Sequence, residues 1–255
     1  GATFSTLTVD LTGGIARLTR NPPDQLNPLG SDALTEIAKA ARWFDDECAR
    51  VVVITSAGDR AFSAGFDLRE LTRGSDEAPD VDLGYLMVDA VAAMDAITIA
   101  ALHGPCVGGG ILLAVGCDLR IAADNTRFAI PEIDLGIPLA WGGIPRLVRE
   151  VGAAATRELV MTCRPFDAIE AQRLGMINRV VPLDRLRAET DELAASLAAK
   201  PVSLLRMTKR QVHEAAEDLL TTRSGWAASA HLAVALADPE ARGAAAGYLA
   251  SRSKD

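Results

Sequence analysis

Apolar and polar positions alternate through FSTLTVDLTGGIARLTR, residues 4–20, on both sides of Gly13-Gly14. That period with that turn predicts a β-hairpin. Pro22, Pro23 and Pro28 then punctuate a loop, and Ser31 is the expected N-cap of a helix in which Leu34, Ile37, Ala38, Ala41 and Phe44 recur at helical spacing. The pattern changes at VVVIT (51–55) and TIAAL (98–102), where successive positions are apolar, as in strands covered on both faces. A helix is predicted from about Leu83 to Asp95, and LRIAA (119–123) and TRFAI (126–130) read as further strands. Beyond them the spacing is helical: 141–150, 153–162, 168–174 with Gly175 as its stop, 183–200, and two or three segments after Pro201.

Strands therefore dominate the first half and helices the second, which predicts an α/β core over residues 1–200 and a helical region over 201–255. That last region carries apolar stripes at Leu204, Leu205, Met207 and Val212 and at Leu232, Val234 and Leu236. Fifty-odd residues of helix are marginal alone, so the stripes call for a partner surface on the core or on another subunit.

Composition narrows the function classes. The chain has 255 residues, 49% hydrophobic and 24% charged, enough for a sizeable core without staples. A net charge of −8 and an aromatic fraction of 4% oppose both phosphate-backbone contact and base stacking, so nucleic acid is not an expected partner. Cys48, Cys106, Cys117 and Cys163 form no C-x-x-C pair, and three lie in apolar surroundings. They read as free thiols of a reducing compartment rather than as disulfides or zinc ligands. No apolar run approaches the ~20 residues of a membrane span, and GATFSTLTVD lacks the features of a signal peptide, so a cytoplasmic location is the expectation.

Three segments could carry chemistry. CVGGGILLAVGC, 106–117, sets three glycines ahead of an apolar helical run, so backbone N–H groups face an approaching anion at the helix start. G-x-G-x-x-G fails because residue 113 is Leu, and no G-x-x-x-x-G-K-[ST] occurs, which makes a phosphate site a weak reading. An oxyanion developing on a thioester carbonyl is a second reading, and a plain tight turn a third. AFSAGFDLREL, 61–71, also follows a β-branched strand and could aim a second N–H, near Phe66, at the same point. Ser63 has neither G-x-S-x-G around it nor a histidine placed beside it by sequence, and Asp67 opens a helix as a cap does. In IPEIDLGIPLAWGGIPRL, 130–147, Glu132 follows a strand in apolar company that would raise its pKa towards the range of proton transfer; Asp134 is its neighbouring competitor.

Taken in order, NPPDQLNPL, VVVITSAGDRAFSAGFDL, ALHGPCVGGGILLAVGCDLRIAADNTRFAIPEIDLGIP, GGIPRL and AIEAQRLGMINRVVP resemble the crotonase superfamily, the enoyl-CoA hydratase/isomerase family, over nearly the whole chain. The resemblance implies a spiral of ββα turns followed by a C-terminal helical trimerisation region, and a homotrimer or dimer of trimers. It implies an acyl-CoA thioester substrate, with coenzyme A present only as part of that substrate. It implies an oxyanion hole from the N–H groups of Phe66 and Gly109, a channel lined by Gln25, Leu26, Ala64, Asp67, Leu68 and Arg69, and Glu132 as catalytic acid/base. Hydratases of the family carry a further glutamate where this chain has Leu112, and dienoyl isomerases an aspartate where it has Ala140. Trp141 stands where smaller residues are usual, which alters the acyl pocket. The expectation is thus an enoyl-CoA isomerase working with Glu132 alone; a hydratase with an atypical water site and a non-catalytic acyl-CoA binder are the alternatives.

Overall fold

The computed structural model describes residues 3–21, 26–67, 70, 82–222, 230–231, 234–235 and 237–252. The hairpin forms as its pattern predicts: β1 (Leu7–Thr12) and β2 (Ile15–Arg20) pair antiparallel in register around Gly13-Gly14. Strands β3 (Val51–Ser56) and β4 (Ile97–Leu102) follow, then a short β5 (Pro105–Val107), β6 (Leu119–Ala123), β7 (Arg127–Ala129), β8 (Phe166–Asp167) and β9 (Arg179–Val181). Six of them make one sheet in the order β1-β2-β3-β4-β6-β9, parallel from β2 onwards, and β5, β7 and β8 make a second, three-stranded sheet.

The continuous apolar runs are explained by cover on both faces. Val52, Ile54, Ala100, Leu102 and Ala122 point into the larger core, against α1 (Ser31–Asp46), α2 (Asp82–Ala93) and the seven-residue α3 (Gly109–Val115), whose residues are all buried. The alternate residues Val51, Val53, Ile99, Ala101, Ile121 and Ala123 meet Leu186 and Ala194 of α6 (Leu186–Ala198) on the other face. Helix α4 (Gly143–Thr162) starts two residues later than its spacing suggested, and Gly152, at φ 78° and ψ 164°, divides it where the sequence divided 141–150 from 153–162. Helix α5 (Ala168–Arg173) follows β8; α7 (Val202–Leu219) and α8 (Pro239–Arg252) close the chain. Among the described residues no helix is long and apolar enough to cross a membrane.

Two expectations need correction. Ser31 is not an N-cap but the first helical residue, and its N–H and hydroxyl bond instead to the Glu70 carboxylate, at 3.0 and 2.6 Å. TRFAI supplies only the three-residue β7, and in the smaller sheet rather than the main one. Helices do dominate the second half, and the short β8 and β9 complete the two sheets.

Helix α7 buries none of its residues, and Leu204, Met207 and Val212 are 58%, 54% and 65% exposed. Polar contacts hold it to the core: Lys209 Nζ lies 2.8 Å from Asp118 and donates to Ala96 O, and Arg149 pairs with Glu217 at 2.6 Å.

Candidate active site

Two turns from distant parts of the chain, one after β3 and one at the start of α3, are laid side by side by a parallel bridge between Ser63 and Cys106. Ser63 N–H donates to Pro105 O and Val107 N–H to Ser63 O, both at 3.0 Å. This brings Gly65 against the triple glycine: a Cβ there would lie 2.9 Å from Val107 O and 3.9 Å from the backbone nitrogen of Gly109. Gly65 also has φ 90°, so the turn needs a residue without a side chain for both reasons. Among the described residues, neither Phe66 N–H nor Gly109 N–H has a hydrogen-bond acceptor. The arrangement leaves two free donors on adjacent turns.

A buried polar lattice fixes the first turn. Arg20, the inward residue at the end of β2, donates to Asn27 O at 2.6 Å, Pro28 O at 2.7 Å and Phe62 O at 3.1 Å. Burial pulls its pKa down to about 10, so it stays charged at neutral pH. Asn27 Nδ2 donates to Ala61 O at 2.8 Å, and Ser56 Oγ to Phe62 O at 2.6 Å. Ser63 Oγ donates to Asn27 O at 3.0 Å and accepts from Gly65 N–H at 3.1 Å. Ala64 N–H donates to Leu26 O, while Leu29 N–H donates to Gly65 O. Leu26 and Asn27 both adopt positive φ, 60° and 51°, a strained pair that these bonds hold in place. Ser63 is thus a strut, with no histidine among the described partners of its hydroxyl.

The second turn carries the carboxylate. Gly108, at φ 49° and ψ −117°, presents its α-carbon to Glu132: a Cβ there would meet Oε1 at 2.5 Å. Glu132 lies in the turn after β7, buried, and among the described residues its Oε2 has no hydrogen-bond partner. Desolvation pushes its pKa from 4.5 up to about 7, a rise opposed only by its own backbone N–H. Asp134, its sequence neighbour, is exposed.

Apolar side chains close the remaining side. Leu112, one helical turn after Gly108, packs with Leu139 over Gly143, and Trp141 lies over the α-carbons of Gly109 and Gly84. The rings of Phe66 and Trp141 meet edge to face at 6.1 Å. The residues singled out in the sequence thus divide. Leu26, Ala64, Phe66, Asp67, Gly109, Leu112, Glu132 and Trp141 belong to this one region, while Gln25, Leu68 and Arg69, with the acidic stretch 75–81, lie outside the described residues. Sequence reasoning missed Arg20, and it placed Asn27 in the channel loop without its part in this lattice. The signal was there, because Ala16, Leu18 and Arg20 alternate on one face of β2 and an arginine at an inward position needs partners.

Fold and site together define a mixed α/β core in which two unpaired backbone N–H groups lie on turns beside a buried glutamate. The profile of the family described as Enoyl-CoA hydratase/isomerase matches residues 10–247, and the chain belongs to that family. A crotonyl-CoA hydratase from Syntrophomonas wolfei is 36% identical over 203 residues, 78% of each chain. The crystal structure of an enoyl-CoA hydratase from Mycobacterium avium subsp. paratuberculosis superposes with a TM-score of 0.87 at 26% identity, covering 98% of this chain and 97% of that one. A Thermobifida fusca protein solved in complex with acetoacetyl-CoA has a TM-score of 0.77 at 32% identity, over 82% of this chain and 87% of that one. The fold is therefore the crotonase fold, and the chain is an enzyme of the hydratase/isomerase class.

Proposed function

We propose that the protein binds an enoyl-CoA thioester and moves its double bond by way of an enolate, with Glu132 as the acid/base. The observation that carries this reading is the buried Glu132 carboxylate, its Oε2 unpartnered among the described residues and its pKa pushed up to about 7, lying over Gly108 next to the free N–H of Gly109. With the thioester carbonyl oxygen between Phe66 N–H and Gly109 N–H, charge that develops on that oxygen meets two fixed donors, each worth about 3 to 4 kcal/mol in comparable holes. Glu132 then takes a proton from C2 of a 3-enoyl group. The C2–H electron pair forms C1=C2 as the carbonyl pair moves onto the oxygen between the two donors. When the enolate collapses, C1=O is restored, the C1=C2 pair becomes C2=C3, the C3=C4 pair takes the proton from Glu132 at C4, and the carboxylate is restored. A pKa near the working pH suits a group that must both accept and return a proton.

A hydratase is the second reading, and the names of the relatives favour it. Addition of water to C2=C3 needs one group to activate the water and another to protonate C2. Here position 112 is Leu, packed with Leu139, and among the described residues no other charged group perturbs Glu132. The apolar wall offers such a water little to hold. Gln25, Leu26, Ala64, Asp67, Leu68 and Arg69 are read as the coenzyme A channel, and the exposed apolar stripe of α7 as the face on which copies of the chain assemble into trimers.

Product analysis decides between the readings. Incubation with a 3-enoyl-CoA is expected to give the 2-enoyl isomer, with little 3-hydroxyacyl-CoA formed from a short 2-enoyl-CoA. Leu112→Glu should raise hydration above the wild-type level. Hydration by the wild type as fast as isomerisation, and insensitive to residue 112, would replace the first reading with the second; binding without either product would leave only an acyl-CoA binder.

A further inference from the structure

Trp141 sits in a conformation its own sequence does not favour. Its φ is 58°, in the left-handed region where a bulky aromatic is disfavoured, and its ring is buried. The surroundings are shaped to accept it. The six-membered ring lies where a side chain on Gly109 would go, its Cζ3 and Cη2 nearest, and the opposite edge, with Nε1 and Cε2, fills the same place over Gly84 of α2. Leu139 Cγ and Leu112 Cδ1 stand 2.8 and 3.0 Å from where a Cβ of Gly143 would be. Glycines at 84, 109 and 143 thus interlock with Trp141, Leu139 and Leu112, which among the described residues fill the space over the three α-carbons.

The order of contacts along the backbone fixes what this filling does. Glu132 lies over Gly108 and the indole over Gly109, on α-carbons about 3.8 Å apart. For an acyl group whose carbonyl accepts from Gly109 N–H and whose C2 faces Glu132, the indole is the next side chain along this backbone. We propose that Trp141 terminates the acyl subsite and makes the enzyme selective for short acyl groups, a specificity that rests on the acyl-CoA reading of the same site. Removing the ring would join the subsite to the space between α2 and α3 and admit longer chains.

Saturated acyl-CoAs test this without chemistry. Titration calorimetry of the full chain with butanoyl-CoA and octanoyl-CoA is expected to show the wild type binding butanoyl-CoA more tightly. Trp141→Ala should shift the ratio of the two dissociation constants towards octanoyl-CoA by about tenfold or more, the effect of burying roughly two further methylenes. Trp141→Phe, which keeps an aromatic ring and serves if the alanine variant does not fold, should shift it the same way by several-fold. An unchanged ratio in a folded variant, or a wild type that already prefers octanoyl-CoA, overturns the chain-length assignment while leaving the acyl-CoA reading intact. Failure of both thioesters to bind the wild type overturns the acyl-CoA reading itself.

Discussion

The two sides of the candidate thioester position are built by opposite means. On one side Arg20, Asn27, Ser56 and Ser63 form a hydrogen-bonded lattice that leaves little polar capacity unused, Asn27 Oδ1 being an orphan. On the other side Leu112, Leu139 and Trp141 pack over Gly143, Gly109 and Gly84, and the neighbouring Glu132, over Gly108, keeps an oxygen unpartnered among the described residues. The contrast separates two requirements of an enolate-forming site. Donors work by being fixed before the reaction, so they are placed by many small satisfied interactions. A proton-transfer group works by being uncomfortable in its charged form, so it is placed where nothing satisfies it.

The largest way to break the contrast is at Gly109, where both sides touch. Gly109→Val would drive a side chain into the Trp141 indole as well as across the approach to the Gly109 N–H. Turnover is expected to fall by about a thousandfold or more, one donor's full worth. Steady-state kinetics on the purified variant checks this, and wild-type turnover would refute the placement of the carbonyl.

Glu132→Gln should lower double-bond migration by about a hundredfold or more while acyl-CoA affinity changes little. The same variant sharpens the energetic half of the contrast. The Glu132 carboxyl ionises near 7 in the fold against an ordinary 4.5, so between those values the folded state binds more protons than the unfolded one. Wild-type stability therefore falls as pH rises through that window, by about 3 kcal/mol in total, and the loss is complete above it. Glu132→Gln should be less active yet more stable than wild type at pH 8, with the difference shrinking to near zero below pH 4.5. Urea unfolding across pH measures it, and a pH-independent difference would show that the carboxyl is not desolvated.

The smallest effect is expected on the polar side. Ser63→Ala removes a bond to Gly65 N–H and one to Asn27 O, but leaves the backbone bridge to β5. A loss of about tenfold in kcat, with KM nearly unchanged and stability lower by about 1 to 3 kcal/mol, is the expected outcome. A change in KM alone would mean that the lattice serves binding rather than donor geometry.

Much of this was legible in the chain. Gly13-Gly14 between alternating runs marked the hairpin, consecutive β-branched residues at 51–54 marked a strand covered twice, and a glutamate in apolar company at 132 marked the buried carboxylate of the candidate site. What escaped has a common physical cause. Strands β5, β8 and β9 have two or three residues each, too few for a period, and exist only because distant partners supply their register. The start of α1 is bonded by Glu70, far along the chain, so local capping chemistry at Ser31 pointed to the wrong residue. Arg20 and Asn27 likewise take their meaning from carbonyls that sequence proximity does not reveal.

The bridge between Ser63 and Cys106 has a kinetic consequence. It joins two turns 43 residues apart, and the strands beneath them, β2 to β3 to β4 to β6, are all parallel and so pair only across long crossovers. Contacts of this kind close large loops before they stabilise anything and are therefore among the slow steps of folding. The helices can form early, but the two donors cannot face one another until the last of these pairings is made. The two turns of the candidate site are therefore expected to come together late in folding, after the parallel pairings beneath them.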